Sequence, residues 1–216
     1  NQVQRVDTSL ANTPNIEING IQMAIAGDDF YTATFLVDLA RKYSKPVWAT
    51  DLVDFPYGLF SGFTPIYRGS MAAVQHGLDG FFYYNWWGTK DYSYSDHLTT
   101  TEMNTLLSDD KAAIEACKDY TLQTDVALLS PIMSFSLADP DGHKGDSLDA
   151  GGLYHLVLDM GLTPDVWTPY EIGKKGQEAL KDYKVLFVSD CPVLSEQVNA
   201  ALVNFVKQGG LVVGCG

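Results

Sequence analysis

Apolar and polar positions along the first half of the chain form blocks that predict strands joined by helices. Short apolar runs at residues 18–26, 47–50 and 80–85 predict three strands. Apolar residues recur at helical spacing over residues 30–43, and residues 67–76 predict a second, shorter helix. Alternation of this kind favours an α/β fold, in which parallel strands are connected by helices that cover the sheet.

A polar helix predicted over residues 99–120, with Thr99–Thr101 offering an N-cap before Glu102, leads out of this first region. From about residue 124 the composition changes while strands and helices continue to alternate, and residues 168–183 are predicted to be irregular. Because four strands and two helices follow within about 90 residues, we predict a flavodoxin-like doubly wound sheet. The predicted domains are residues 1–121 and 122–216. The predicted strands of the second domain are residues 125–130, 164–167, 184–189 and 210–213, and its helices are residues 148–160 and 195–208.

Composition excludes several classes of function. The chain has 27 acidic and 14 basic residues, and no cluster of Lys or Arg that would bind phosphates or anionic lipid. A nucleic-acid partner and a membrane partner are therefore not expected. No segment reaches transmembrane length and no signal peptide is visible, so the compartment stays open between cytoplasmic and periplasmic or secreted. The three cysteines are far apart and have no zinc-ligand spacing, so neither a metal nor a cofactor is expected.

Asp51 is the first candidate for chemistry. It follows an apolar strand directly and begins a predicted loop, residues 51–65, that is rich in aromatic residues and longer than a connection needs. A carboxylate at a strand end of a β/α barrel serves as nucleophile or as acid and base when a second carboxyl group faces it. Two alternatives stay open: Asp51 caps the loop or pairs with Arg68, or Asp54 is the functional carboxylate instead.

A second group of candidates lies in the aromatic loop predicted at residues 86–98. Indole rings stack on the apolar faces of sugars while Asp and His bind hydroxyl groups, so Trp86, Asp96 and His97 form a candidate substrate-binding set. The alternative is that Trp86 or its neighbour Trp87 packs in the core and that His97 is an exposed loop residue.

Cys191 follows a predicted strand of the doubly wound domain, where amidotransferases place their nucleophile. The residue after such a nucleophile donates its backbone N–H to the oxyanion. Here that residue is Pro192, which has no N–H to donate. A role for Cys191 as nucleophile is therefore not expected.

The motifs of the first domain resemble those of a known family. The segments Lys45-Pro-Val-Trp-Ala-Thr-Asp51, Gly77-Leu-Asp-Gly-Phe-Phe-Tyr-Tyr-Asn-Trp86 and Asp96-His97 are similar to the last third of the TIM barrel in glycoside hydrolase family 42, whose members are β-galactosidases. The resemblance implies that Asp51 occupies the nucleophile position and that Trp86, Asp96 and His97 line the sugar subsite. The family has Glu at that position, and Asp would retract the carboxylate by one methylene.

The second domain resembles the trimerisation domain of the same family, an amidotransferase-like sheet without amidotransferase activity. The phrases that carry this likeness are Gly161-Leu-Thr-Pro-Asp-Val166, Tyr183-Lys-Val-Leu-Phe-Val188 and Val206-Lys-Gln-Gly-Gly-Leu-Val-Val213. The resemblance implies a carbohydrate substrate and a homo-oligomer, a dimer or trimer. It also implies a chain truncated at both ends, without the acid/base carboxyl group and inactive by itself. The alternative is a non-catalytic oligomerisation or carbohydrate-binding module.

Overall fold

The computed structural model describes residues 17–25, 31–42, 46–54, 63–83, 99–130, 147–189, 191 and 193–214. The chain divides into two compact units whose boundary lies between Thr121 and Leu122. Both units are α/β, and each contains one parallel sheet. The predicted α/β class is therefore confirmed.

The first unit has three strands and three helices in its described residues. The sheet has the order β1-β2-β3, so each strand is hydrogen-bonded to the strand that follows it in the chain. Both pairings are parallel. The elements are β1 (Asn19–Ile25), α1 (Tyr31–Ala40), β2 (Val47–Asp54), α2 (Phe63–Gln75), β3 (Gly80–Tyr83) and α3 (Thr100–Cys117).

Helices α1 and α2 lie on one face of this sheet. Connections between parallel strands are right-handed, and a sheet that always advances in the same direction keeps its connecting helices on one side. The two helices contact each other and both contact β1. The side chains of Ile21, Val47 and Ala49 lie on this face and are at most 2% exposed. We call it the helix face.

The opposite face carries Gly20, Trp48 and Phe82, and we call it the aromatic face. These residues alternate with those of the helix face along each strand. Trp48 is 37% exposed and Phe82 is 60% exposed. One side of the sheet is thus buried under helices while the other presents large apolar rings to solvent.

Strand β2 contains a bulge. Ala49 pairs with Ile21 and Asp51 with Gln22, so Thr50 is an extra residue relative to β1. The pairing with β3 shows the same excess, because Ala49 is opposite Phe81 whereas Leu52 is opposite Tyr83. A bulge leaves one residue outside the regular ladder and increases the local twist.

The second unit has four parallel strands in the order β5-β4-β6-β7. This is the 2-1-3-4 order with which a flavodoxin-like sheet begins, so the structure agrees with the predicted topology. Its elements are β4 (Val126–Leu129), α4 (Ser147–Asp159), β5 (Asp165–Trp167), α5 (Pro169–Lys175), a 3₁₀ turn (Gly176–Ala179), β6 (Val185–Val188), α6 (Glu196–Lys207) and β7 (Leu211–Gly214).

The core of the second unit surrounds the central strand β4, whose four residues are all buried. On one face, Ala127 and Leu129 belong to a cluster that includes Ile172 of α5 and Phe205 of α6. Val126 and Leu128 alternate with them and are equally buried. The order reverses after β5, and a right-handed connection then places α4 on the face opposite α5 and α6. Both faces of this sheet are therefore covered.

Helix ends follow the sequence signals closely. Thr99, within the predicted N-cap segment, is the N-cap of α3 and forms a capping box with Glu102. Gly77, Gly161 and Gly209 have positive φ angles just after α2, α4 and α6. At Gly209, the N–H groups of Gly209 and Gly210 donate to the carbonyls of Val206 and Phe205, the pattern of a Schellman motif.

Two predicted element boundaries are wrong, and one helix was not predicted. Strand β2 continues through Asp51 to Asp54, where a loop was predicted. Helix α2 begins at Phe63 rather than Tyr67 because Pro65 lies in its first turn, where the missing N–H is not needed. Helix α5 and the 3₁₀ turn occupy much of the stretch predicted to be irregular.

Candidate functional site

The aromatic face of the first unit is the surface on which the candidate site is built. Trp48 lies between Gly20 and Gly80 in the register of the three strands. A Cβ atom at Gly80 would lie 2.7 Å from Cε2 of Trp48, which shows that the indole ring lies across this glycine. Gly80 is buried beneath it. The glycine is therefore what lets a large ring lie close against the neighbouring strand.

Asp51 lies in the middle of β2, so the prediction that it begins a loop just after the strand is wrong. Its backbone pairs with that of Gln22, and three further residues of β2 follow before the strand ends at Asp54. The apolar pair Leu52 and Val53 continues the strand beyond the acid. Asp51 is one residue past the bulge at Thr50.

The other site residues predicted from the sequence, Trp86, Asp96 and His97, lie outside the described residues, and so does Trp87. Their grouping around a sugar stays a prediction. Arg68, the alternative partner for Asp51, is an exposed residue of α2.

A buried carboxylate connects the two helices that cover the sheet. The side chain of Asp38 in α1 is 1% exposed, and its Oδ2 is 2.9 Å from Nδ1 of His76, just after α2. Arg41 contacts the same carboxylate at 3.6 Å and donates a hydrogen bond of 2.5 Å to the carbonyl of His76. These residues lie at the C-terminal ends of the helices, the end of a β/α unit associated with stability rather than catalysis. We interpret them as a structural link.

A second hydrogen-bonded group stabilises the second unit. The hydroxyl of Tyr183 donates to Asp165, and Nε1 of Trp167 donates to the same hydroxyl at 3.1 Å. Burial, together with the hydrogen bond to Asp165, raises the pKa of Tyr183 above its usual value. Nζ of Lys175 is 4.8 Å from the centre of the Trp167 ring. This tyrosine therefore stays protonated and acts as a hydrogen-bond donor, not as a base.

Cys191 is half-buried and packs against the apolar cluster of the second unit. Cys117 is half-buried as well.

Within the described ranges, no group of three or more His, Cys, Asp or Glu residues is arranged to hold a metal ion. None of the helices described is long and apolar enough to cross a membrane.

No family model matches the chain. No curated protein matches it either.

The sequence shows the alternation of residues that produces the aromatic face, but it does not show which face of the sheet is open. Val47, Trp48 and Ala49 alternate in size at a period of two, and Phe81 and Phe82 fall on opposite sides of β3. Because β3 carries a phenylalanine on each face, the pattern alone does not reveal which face the helices cover.

Proposed function

We propose that the first unit forms part of the wall of a β/α barrel of the glycoside hydrolase type, which acts on β-galactosides or related glycosides with Asp51 as nucleophile. The observation that carries this proposal is the strand order β1-β2-β3 with both helices on one face and exposed aromatic rings on the other. In a β/α barrel the inward face of the sheet is filled by layers of large side chains, and the active site lies towards the C-terminal ends of the strands.

The positions of Trp48 and Asp51 along β2 support the proposal that these strands form part of a barrel wall. Trp48 is near the N-terminal end of β2, where a barrel is filled by its own side chains. Asp51 is three residues further along, closer to the end at which barrel enzymes bind their substrates. In this proposal Trp48 belongs to an interior layer and Asp51 lies above it.

The chemistry requires two carboxyl groups. In a retaining glycosidase, one carboxylate attacks the anomeric carbon while a second, about 5–5.5 Å away, protonates the leaving oxygen. The resemblance assigns only the nucleophile to this sequence. We therefore expect the 216-residue chain to bind a galactoside at Asp51 without hydrolysing it.

For the second unit we propose an oligomerisation role without catalysis. Cys191 packs against a core cluster, and β7, an outer strand of the described sheet, exposes Leu211 to 57%. Edge strands without charge or proline pair readily with other chains, and residues 211–214 contain neither. We expect light scattering to show a dimer or trimer.

The decisive experiment is a chromogenic β-galactoside assay of the complete gene product with the substitution Asp51→Asn. Removal of a nucleophile lowers kcat by about 1,000-fold or more, and we expect a loss of that size. The matched control is Asp54→Asn, which changes the other carboxylate of the same strand and should leave kcat within a few fold.

Activity that persists after Asp51→Asn and disappears after Asp54→Asn would assign the role to the wrong acid and contradict the proposal. Galactoside binding without turnover, unchanged by Asp51→Asn, would instead favour the alternative, a non-catalytic carbohydrate-binding module.

A further inference from the structure

The bulge in β2 determines which face of the sheet Asp51 occupies. In a regular strand, successive residues point to opposite faces. Counting from Trp48 on the aromatic face, a regular strand would place position 51 on the helix face. Val47 and Ala49 on that face are 1% and 0% exposed, so a carboxylate there would be buried among apolar groups.

The observed register gives the opposite result. Position 51 pairs with Gln22, the residue after Ile21. Since Ile21 lies on the helix face, position 22 and its partner fall on the aromatic face. The pairing of Leu52 with Tyr83, two residues after Phe81, independently returns position 52 to the helix face.

Phe82 is the aromatic residue nearest to this position in the register. It lies between Phe81, opposite Ala49, and Tyr83, opposite Leu52, and therefore faces the two bulged residues of β2. Its ring is 60% exposed on the aromatic face. Neighbouring strands are about 4.8 Å apart, so a group bound at position 51 would lie within reach of this ring.

We propose that the bulge at Thr50 places Asp51 on the aromatic face beside Phe82, and that Phe82 forms the apolar surface on which the ring of a pyranose bound at Asp51 stacks. The part that concerns the sugar rests on the proposed function. The part that concerns the face of the sheet depends only on the register.

A disulfide cross-link tests the geometry without any ligand. In a background that replaces Cys117, Cys191 and Cys215 by Ser, the double variant Asp51→Cys with Phe82→Cys is oxidised and analysed by mass spectrometry. A disulfide requires Cα atoms about 4.4–6.8 Å apart and side chains on one face, so we expect this pair to cross-link. The matched control, Leu52→Cys with Phe82→Cys, has its thiols on opposite faces and should stay reduced.

Single cysteines provide a second measurement that does not need a pair. In the 216-residue chain, whose aromatic face is open, we expect native-state maleimide labelling at positions 48 and 51 to be at least about tenfold faster than at positions 49 and 52. Deletion of Thr50 removes the extra residue, and the strand then alternates regularly with position 51 still on the aromatic face. We therefore expect the same positions to label quickly in this variant. If β2 had no bulge, a cysteine at position 52 would label quickly and one at position 51 slowly, and that result would overturn the proposal. A disulfide that forms with position 82 only from position 52 would overturn it as well.

Binding of methyl β-galactoside tests the role of Phe82. We expect Phe82→Ala to weaken binding about tenfold, through loss of the stacking surface, and Phe82→Tyr to restore it. The control is Tyr120→Ala, which removes a ring that is 79% exposed elsewhere in the first unit. Unchanged binding in Phe82→Ala would contradict the stacking role. A wild-type protein that binds no galactoside would contradict the proposed function, and the cross-link would still test the position of Asp51.

Discussion

The two units are built from the same elements, parallel strands joined by helices, yet only one of them buries both faces of its sheet. In the second unit the order reverses after β5, so helices lie on both sides and all four residues of β4 are buried. Among the described strands of the first unit the order does not reverse, and the face opposite the helices exposes Trp48 and Phe82. The strand order, rather than the composition, determines whether the connecting helices cover one face of a short sheet or both.

This difference explains where chemistry can occur. A sheet covered on both faces can bind ligands only beyond its strand ends. A sheet with one open face can bind them on the face itself when it curves into a barrel, because residues along several strands then converge on the interior. The acid and aromatic residues of the first unit lie on the strands of a sheet with one open face, whereas the polar groups of the second unit, such as Tyr183 and Asp165, hold its elements together.

The largest expected effect tests how the helix face is held. Asp38→Ala leaves the partly exposed side chains of His76 and Arg41 without the buried carboxylate between α1 and α2, and the loss of hydrogen bonds to a charged group costs about 1.5–3 kcal/mol. We expect urea unfolding to show a loss of that size in the first unit. Hydrogen exchange should then accelerate at Val37 but not at Leu128 of the second unit.

The matched control is Asp125→Ala, which removes a carboxylate whose side chain is 52% exposed in its contact with Lys184. Because exposed ion pairs are screened by solvent, we expect this substitution to change the stability far less than Asp38→Ala does. Equal losses from the two substitutions would show that Asp38 is not the link that its burial indicates.

Two glycines test the contrast between a covered and an open face directly. A Cβ at Gly210 would lie 2.4 Å from Cζ of Phe205, which is buried in the cluster of the second unit. Because that ring has no space to move into, we expect Gly210→Ala to cost about 1–3 kcal/mol. Gly80→Ala creates a similar clash at 2.7 Å with Trp48. That ring is on the open face and can turn away, so we expect a cost below about 1 kcal/mol.

Both costs are measured as shifts in the urea midpoint, with Gly214→Ala as control because nothing lies within 4 Å of a Cβ there. If Gly80→Ala destabilised the protein as strongly as Gly210→Ala, the Trp48 ring would be held in place. The aromatic face would then not be open.

The sequence predicted the kind of fold well because its signals are local. Gly77, Gly161 and Gly209 each follow the end of a helix, where a residue that tolerates positive φ fits best, and such a glycine is visible in the sequence itself. Helix α5 was missed although its signal was present: Thr168 caps the helix, Pro169 is its first residue and Glu171 donates its N–H to the Thr168 side chain.

The candidate site was harder to predict because its geometry depends on pairing between strands. Nothing in the order Ala49, Thr50 and Asp51 distinguishes a bulge from a regular strand, and the two place the acid on opposite faces. The strand order is also not local, since a connecting helix reads the same whether the chain advances or reverses. These features follow from the long-range register, which a pattern along one strand does not contain.

The smallest expected effect compares two exposed carboxylates, one in each unit, as the pH falls. A hydrogen bond from Nζ of Lys184, at 2.7 Å, lowers the pKa of Asp125 in the second unit. Hydrogen bonds from the backbone and hydroxyl of Thr99 lower the pKa of Glu102 in the first. A carboxyl group whose pKa is lower in the folded state stabilises it above the unfolded-state pKa, about 4, and loses that contribution as pH falls through the folded-state pKa.

We therefore expect Asp125→Asn and Glu102→Gln each to lower the urea midpoint slightly at about pH 7 and to match the wild type near about pH 2. Salt separates the two, because Lys184 is a charge that ions screen and the Thr99 donors are neutral. In about 0.5 M NaCl the effect of Asp125→Asn should shrink while that of Glu102→Gln persists. Equal salt sensitivity would show that the capping box of α3 acts through net charge rather than through its hydrogen bonds.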